Sequence, residues 1–293
     1  MNPIGIQYLY WNDIPLRQAV ELTARSGADV FECGTTVLAN LTRQERQDLS
    51  RMVRDHGLSL TLNGGMPRAD PCSPDQAVRE ESIRLCQQAI DAAADAGSSI
   101  WGGIIYSKWL DIPNRTFTVQ DRADMWARGV ETMRRVMPAA EDAGVKVCFE
   151  IVNRFEAYMI TTADEGIRFC QEIESPSAQL LLDVFHMNIE EDSMTAAMER
   201  VMSAGRFGHL HISESNRGLP GLAKTDMPWE TIIGTLKRIN YQGVVTMEPM
   251  VLQETPTSYK YRIWRDMVRD GSSDTLLHSA ADSVAFIKEI MKA

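Results

Sequence analysis

Asp142-Ala-Gly144-Val-Lys-Val-Cys-Phe-Glu150-Ile-Val-Asn-Arg-Phe-Glu156 decides how the rest of the chain is read. Asp-Ala-Gly is a helix ending, because a glycine just past the last turn takes the left-handed conformation that closes it. Val147, Cys148, Phe149, Ile151 and Val152 then make the short apolar run of a buried strand. Glu150 interrupts that run with a carboxylate, which is costly to bury unless a cation or metal ion stands beside it. A single helix-to-strand passage thus carries a charge to a strand end.

The passage recurs along the chain. Gly27 precedes Ala28-Asp-Val-Phe-Glu32-Cys33, Asp55-His-Gly57 precedes Leu58-Ser-Leu-Thr-Leu, and Asp95-Ala-Gly97 precedes Ser98-Ser-Ile-Trp. Ser203-Ala-Gly205 precedes Phe207-Gly-His, and Tyr241-Gln-Gly243 before Val244 is a looser copy. Strands are predicted near 3–10, 28–33, 58–63, 98–104, 146–151, 179–184, 207–212 and 243–248. Strands alternating with helices pair in parallel, and eight such units close into a barrel. The expected fold is therefore α/β, a single-domain (β/α)8 TIM barrel over residues 1–293.

Helix boundaries are marked as well. Thr42-Arg-Gln-Glu45 and Thr162-Ala-Asp-Glu165 fit the capping box, and Ser73-Pro74-Asp-Gln76 puts a proline at the first helical position. Helices are expected over roughly 15–26 and 275–291. Glu190-Glu191-Asp192 reads as acidic dressing of a helix N-terminus. The long mixed segment 251–274 reads as a lid or contact element.

The 293 residues are 44% hydrophobic and 24% charged, so a folded domain with a large core is expected. A net charge of −10 argues against nucleic acid as a partner, since phosphate-tracking proteins carry a basic face. Five cysteines, an odd number with no C-x-x-C pair, read as free thiols in a reducing compartment. No apolar segment approaches membrane-spanning length, and the N-terminus lacks a basic region followed by an apolar run. The expectation is a cytoplasmic protein with no membrane partner.

Three further strand ends repeat the Glu150 pattern: Leu180-Leu-Leu-Asp183, Gly208-His-Leu-His211 and Val244-Val-Thr-Met-Glu248. Functional groups of parallel barrels gather at such C-terminal ends. His209 and His211 share one face by alternation, and His211, nearer the rim, is the preferred ligand. Glu150, Asp183, His211 and Glu248 make a hard, oxygen-rich set suited to one divalent ion, Mn²⁺ first, with Co²⁺ or Mg²⁺ as alternatives.

Longer stretches then become recognisable. Glu150-Ile-Val-Asn-Arg-Phe-Glu156, Leu182-Asp-Val-Phe-His-Met-Asn-Ile-Glu-Glu-Asp192 and His209-Leu-His-Ile-Ser-Glu-Ser-Asn-Arg217 resemble the D-tagatose 3-epimerase and D-allulose (D-psicose) 3-epimerase family, within the xylose-isomerase-like barrels. Met227-Pro-Trp229, Met247-Glu-Pro249 and Ile263-Trp-Arg-Asp266 extend the match essentially end to end. The resemblance implies a metal-dependent epimerisation at C3 of a small-molecule ketose. It makes Glu150 and Glu248 the proton-transfer groups as well as metal ligands. Glu156, His186 and Arg217 match positions that hold the substrate's oxygens near C1 to C3, and Trp109 looks like the aromatic wall over the sugar. The resemblance also implies a homodimer or homotetramer, to which Tyr259-Lys-Tyr261-Arg-Ile-Trp264 adds an aromatic-rich surface.

Gln7 stands where well-known members carry tyrosine, Met250 where they carry phenylalanine, and Ile104 where alanine is usual. These positions are expected to face the distal part of the sugar and leave the chemistry untouched. Read without the resemblance, Glu156 pairs with Arg154, Arg217 with Glu214, and Trp11 is an ordinary core or interface aromatic. An aldose–ketose isomerase would use the same paired glutamates. A metal-dependent DNA-repair endonuclease ranks low, since it would need a richer histidine cluster than five residues supply. A non-catalytic sugar-binding barrel would not need a carboxylate on both faces of the sugar.

Overall fold

The computed structural model describes residues 1–293 except 111–114, 224 and 256–257. Eight parallel strands follow one another around a closed barrel. They are β1 (Ile4–Gln7), β2 (Val30–Gly34), β3 (Ser59–Asn63), β4 (Ile100–Gly103), β5 (Lys146–Glu150), β6 (Ala178–Asp183), β7 (Phe207–Ile212) and β8 (Val245–Met247). Pairing of Gly5 with Thr246 on β8 closes the circle. The main helices are α1 (Leu16–Arg25), α3 (Arg43–Asp55), α4 (Gln76–Asp95), α5 (Val119–Ala143), α6 (Ala163–Ile173), α8 (Met194–Ser203), α9 (Trp229–Arg238) and α11 (Ser273–Lys292). Shorter helices α2 (Thr35–Ala39), α7 (Val184–Glu190) and α10 (Ser258–Tyr261) ride on the strand-to-helix side.

Alternation along the strands divides the core. Val147 and Phe149 of β5 belong with Phe169 of α6 and Met133 of α5 to the large cluster between sheet and helices. Ile100, Cys148 and Leu181 form a separate small cluster. That cluster lies inside the barrel, since a side chain at Gly102 of β4 would collide with Leu181 of the non-adjacent β6. The rest of the interior is polar: Glu32, Thr61, His209 and His211 are buried in it. A polar interior is unusual for a packed core, and it marks where the site begins.

The helix-ending glycines behave as read. Gly27, Gly57, Gly97, Gly144 and Gly205 have φ of 81°, 75°, 75°, 66° and 67°, the left-handed region that a Cβ disfavours. Gly243 does not; Asn240, at φ 54°, makes the turn in its place. That leaves β8 only Val245–Met247, shorter than expected. Strand β1 also stops early, at Gln7, and Tyr8–Trp11 coils into a 3₁₀ turn. The turn brings Tyr10 and Trp11 inward, where Tyr10 donates to the Leu276 carbonyl at 2.7 Å and Trp11 to Thr23 at 2.8 Å. Burying two large aromatics wins over extending the strand.

The capping box at Thr42 and Glu45 is complete. At Thr162 only half of it forms; the Glu165 carboxylate accepts from the Thr161 N–H instead. Helix α4 begins two residues later than the proline suggested, with Asp75 rather than Ser73 as its cap. Glu191 does dress a helix N-terminus, but that of α6, accepting from the Ala163 N–H at 2.6 Å. All five cysteines are buried and free. Among the described residues, no helix is long and apolar enough to cross a membrane.

Candidate active site

The four strand ends meet. Glu150 ends β5, Asp183 ends β6, His211 lies on β7 beside Asp183 in register, and Glu248 follows β8 directly. One ligand atom from each lies within 4.8 Å of all the others, and all four residues are buried. Arg217 reaches into the group, its Nη1 at 2.6 Å from Asp183 Oδ2 and 3.1 Å from Glu248 Oε2. His211 Nδ1 lies 3.2 Å from Glu248 Oε2.

The two glutamates are held differently. Glu248 Oε1 accepts from Gln7 Nε2 at 2.7 Å and, more distantly, from Asn63 Nδ2 at 3.5 Å. No hydrogen bond among the described residues reaches the Glu150 carboxylate, whose nearest ring nitrogen is His186 Nε2 at 3.7 Å. Burial, and then repulsion from Glu248, push the Glu150 carboxyl well above the usual carboxylate range. Burial works the same way on Asp183, but the Arg217 guanidinium beside it, with His211, outweighs burial and holds that carboxyl low.

Three carboxylates thus face one guanidinium and one imidazole, and the group is short of positive charge. The donor set is oxygen-rich and fits a divalent ion. Burial opposes charging of His211, yet Glu32 and then Glu248 raise its pKa well above the ordinary value. An ion entering through Nδ1 therefore displaces a proton.

Glu32 is the residue that the sequence reading passed over. It is fully buried on β2, inside the barrel beside His209 and His211. Its Oε1 lies 2.8 Å from His211 Nε2, and its Oε2 lies 2.7 Å from His209 Nε2 and accepts from Thr61 at 2.8 Å. A carboxylate on Nε2 keeps the proton there and leaves Nδ1 as the donor atom, which is how a neighbouring acid orients a histidine ligand. The signal was available: Val30-Phe-Glu32-Cys33 carries a carboxylate in an apolar run, just as Lys146 to Glu150 does. His209 shares the interior with His211, as alternation requires, but its Nε2 turns to Glu32.

Glu156, His186, Arg217 and Trp109 line the same cavity as Glu150 and Glu248, a space of about 790 Å³. Burial lowers His186 to about 4, so the ring is neutral; its Nδ1 accepts from the Asn153 N–H at 3.2 Å. Glu156 accepts from Trp109 Nε1 at 2.9 Å, while Arg154 pairs with Glu190 at 2.7 Å. The expected Glu156–Arg154 pair therefore does not form. Nor does Arg217 pair with the Glu214 side chain, which is taken by the Gly221 N–H and by Trp229. Arg217 has φ 63°, a strained value for a non-glycine residue, and its N–H donates to the Glu214 carbonyl at 2.9 Å. That loop conformation aims the guanidinium at Asp183.

Segment 251–274 contributes Lys260 and Tyr261 to the cavity. The Tyr261 and Trp109 rings lie 5.1 Å apart, and Lys260 Nζ sits 4.3 Å over Trp109. Gln7, Ile104 and Met250 also line the cavity. Of these three, Gln7 is hydrogen-bonded to Glu248, one of the four clustered strand-end residues.

Comparison with known proteins places this geometry. A family model described as the xylose isomerase-like TIM barrel matches residues 20–263. The chain is 33% identical to the D-psicose 3-epimerase of Ruminiclostridium cellulolyticum over 286 residues, covering 95% of this chain and 94% of that one. It is 31% identical to the L-ribulose 3-epimerase of a Methylomonas species, covering 95% and 93%. The crystal structure of D-psicose 3-epimerase with D-tagatose from Clostridium cellulolyticum matches with a TM-score of 0.92 at 30% identity, covering 99% of each chain.

Proposed function

We propose, on the premise that this chain belongs to the xylose isomerase-like TIM barrel family and groups there with the ketose 3-epimerases, that it inverts C3 of free ketoses. Candidate pairs are D-fructose and D-allulose, D-tagatose and D-sorbose, and L-ribulose and L-xylulose. The observation that carries the reading is the pair of buried glutamates, one from β5 and one from β8, sharing a cluster with Asp183 and His211.

Glu150, Asp183, His211 and Glu248 are the residues that would hold the ion, with Mn²⁺ the first choice and Co²⁺ or Mg²⁺ alternatives. When bound, it supplies positive charge against the adjacent oxygens of an α-hydroxyketone, which lowers the cost of the enediolate. One glutamate takes the C3 proton, the C–H electrons form the C2–C3 double bond, and O2 takes up the negative charge. The other glutamate delivers a proton to the opposite face of C3, and the electrons return to the carbonyl. Glu156, His186 and Arg217 orient the sugar oxygens near C1 to C3. Trp109, packed at a tilt against Tyr261, walls the sugar off from water, which strengthens every charge interaction beneath it.

Product NMR in D₂O tests this reading against an aldose–ketose isomerase. Given D-fructose, D-allulose or D-tagatose, the protein is expected to place solvent deuterium at C3 of the epimeric ketose. Early in the reaction, unreacted substrate should hold less label than product, because two separate bases act. Label at C1 or C2 together with an aldose overturns the epimerase reading and leaves the barrel and its cluster intact.

Tyr259 and Trp264, 80% and 66% exposed, are packed edge to face at 5.9 Å on the outer surface. An exposed aromatic pair supports a homodimer or homotetramer with this segment in the interface. Sedimentation is expected to show an oligomer at micromolar concentration; a monomer there overturns it. The five buried free thiols support a reducing compartment, the cytoplasm.

A further inference from the structure

Glu248 and Glu150 are drawn as a symmetric pair, yet only Glu248 is restrained on the oxygen turned away from Arg217 and His211. Gln7, the last residue of β1, and Asn63, the last of β3, send their side-chain amides to that one atom, Oε1, at 2.7 and 3.5 Å. The orientation of both amides follows from chemistry, since only an NH₂ group is compatible with a carboxylate acceptor. It has a cost: Gln7 Oε1 and Asn63 Oδ1 are buried and have no hydrogen-bond partner among the described residues. Orphaned buried carbonyls are rare because they give up water for nothing. Two of them, behind two amides that converge on one carboxylate oxygen, indicate that donation to Glu248 is what the arrangement keeps. Both residues are themselves more than nine-tenths buried and line the cavity.

We infer that Gln7 is a positioning residue, assisted by Asn63, which holds the Glu248 carboxylate in the orientation needed to exchange a proton with C3 on one face of the sugar. The inference rests on the role given to Glu248 above. A neutral amide orients the carboxylate without adding a competing cation. Glu150, which has no such donor among the described residues, is left for the substrate and the ion to orient. The two proton transfers are therefore set up by different means, and damage to Gln7 falls on one of them.

The test is Gln7→Met, which keeps the length and removes the donor, assayed on D-fructose and D-allulose with protium or deuterium at C3. Misplacement of a catalytic group lowers turnover, here by about 10- to 100-fold, with little change in KM. The equilibrium constant forces kcat/KM to fall equally in both directions, so rates alone do not assign the step. Isotope effects do. The C3 deuterium effect is expected to rise in the direction where Glu248 removes the proton. In the other direction it should fall while the solvent isotope effect rises, because reprotonation by Glu248 has become limiting. A general structural role would lower activity with both isotope effects unchanged in both directions, and that result overturns the inference, as does wild-type kcat. Should Gln7→Met not accumulate as folded protein, Gln7→Asn shortens the reach by one methylene and is expected to give the same pattern. Glu248→Gln separates the two levels. If it abolishes turnover while Gln7→Met is unaffected, only the inference fails; if it retains turnover, the functional reading fails with it.

Discussion

Glu248→Gln, loaded with Mn²⁺, is expected to lose about 10² to 10⁴-fold in kcat, the range over which a positioned acid–base group contributes. The substitution keeps the shape and removes the carboxyl group's capacity to take up and release a proton. Glu150→Gln is expected to lose a similar factor, with a different effect on stability. Glu150 is buried, accepts no side-chain hydrogen bond among the described residues and is repelled by Glu248, and its carboxyl is held well above the ordinary range. Above the unfolded-state pKa of about 4.3, the folded protein therefore binds more protons than the unfolded one, so stability falls as pH rises from there through the folded pKa. Glu150→Gln lacks that loss. Without metal, it should melt higher than the wild-type protein at neutral pH, by a margin that grows with pH. Thermal melts across pH and kcat with measured metal content check both halves. Near-native kcat in metal-loaded Glu248→Gln would sink its assignment.

Chelation is the other large effect. Metal-free protein is expected to show no turnover, with Mn²⁺ or Co²⁺ restoring it, because three buried carboxylates otherwise lack sufficient counter-charge. An ion present at one hundred times its Kd stabilises the folded state by about 2.7 kcal/mol. For a chain of this size its removal should lower Tm by about 4 °C. Affinity should rise with pH, since binding releases the His211 proton. In the same titration, Glu32→Gln is expected to weaken the ion by about 10- to 100-fold, as loss of a histidine ligand's carboxylate partner does elsewhere. Full activity in rigorously metal-free protein is the outcome that refutes the dependence.

Sequence reading was most reliable where a local rule acts on a local pattern. Five glycines announce five helix endings because only the left-handed conformation closes those turns, and glycine takes it without strain. It failed where a long-range contact overrides the rule. Tyr8–Trp11 looks like continued strand, but Tyr10 and Trp11 are bonded to α11 and α1, distant in sequence, and the chain turns to reach them. Arg154 and Glu156 are neighbours in sequence, yet Glu190 and Trp109 claim them in space.

The chain alone determined the eight-unit barrel and the four strand-end residues that cluster at its rim. Strand alternation and the helix-ending glycines are local, and a parallel barrel delivers all its strand ends to one rim. Only the tertiary structure decided which groups hold those residues. Glu32 meets His211 from β2 across to β7, and Gln7 and Asn63 meet Glu248 from β1 and β3. Such contacts depend on closure of the barrel, which brings together side chains separated by up to 241 positions; no spacing rule along the chain encodes that distance.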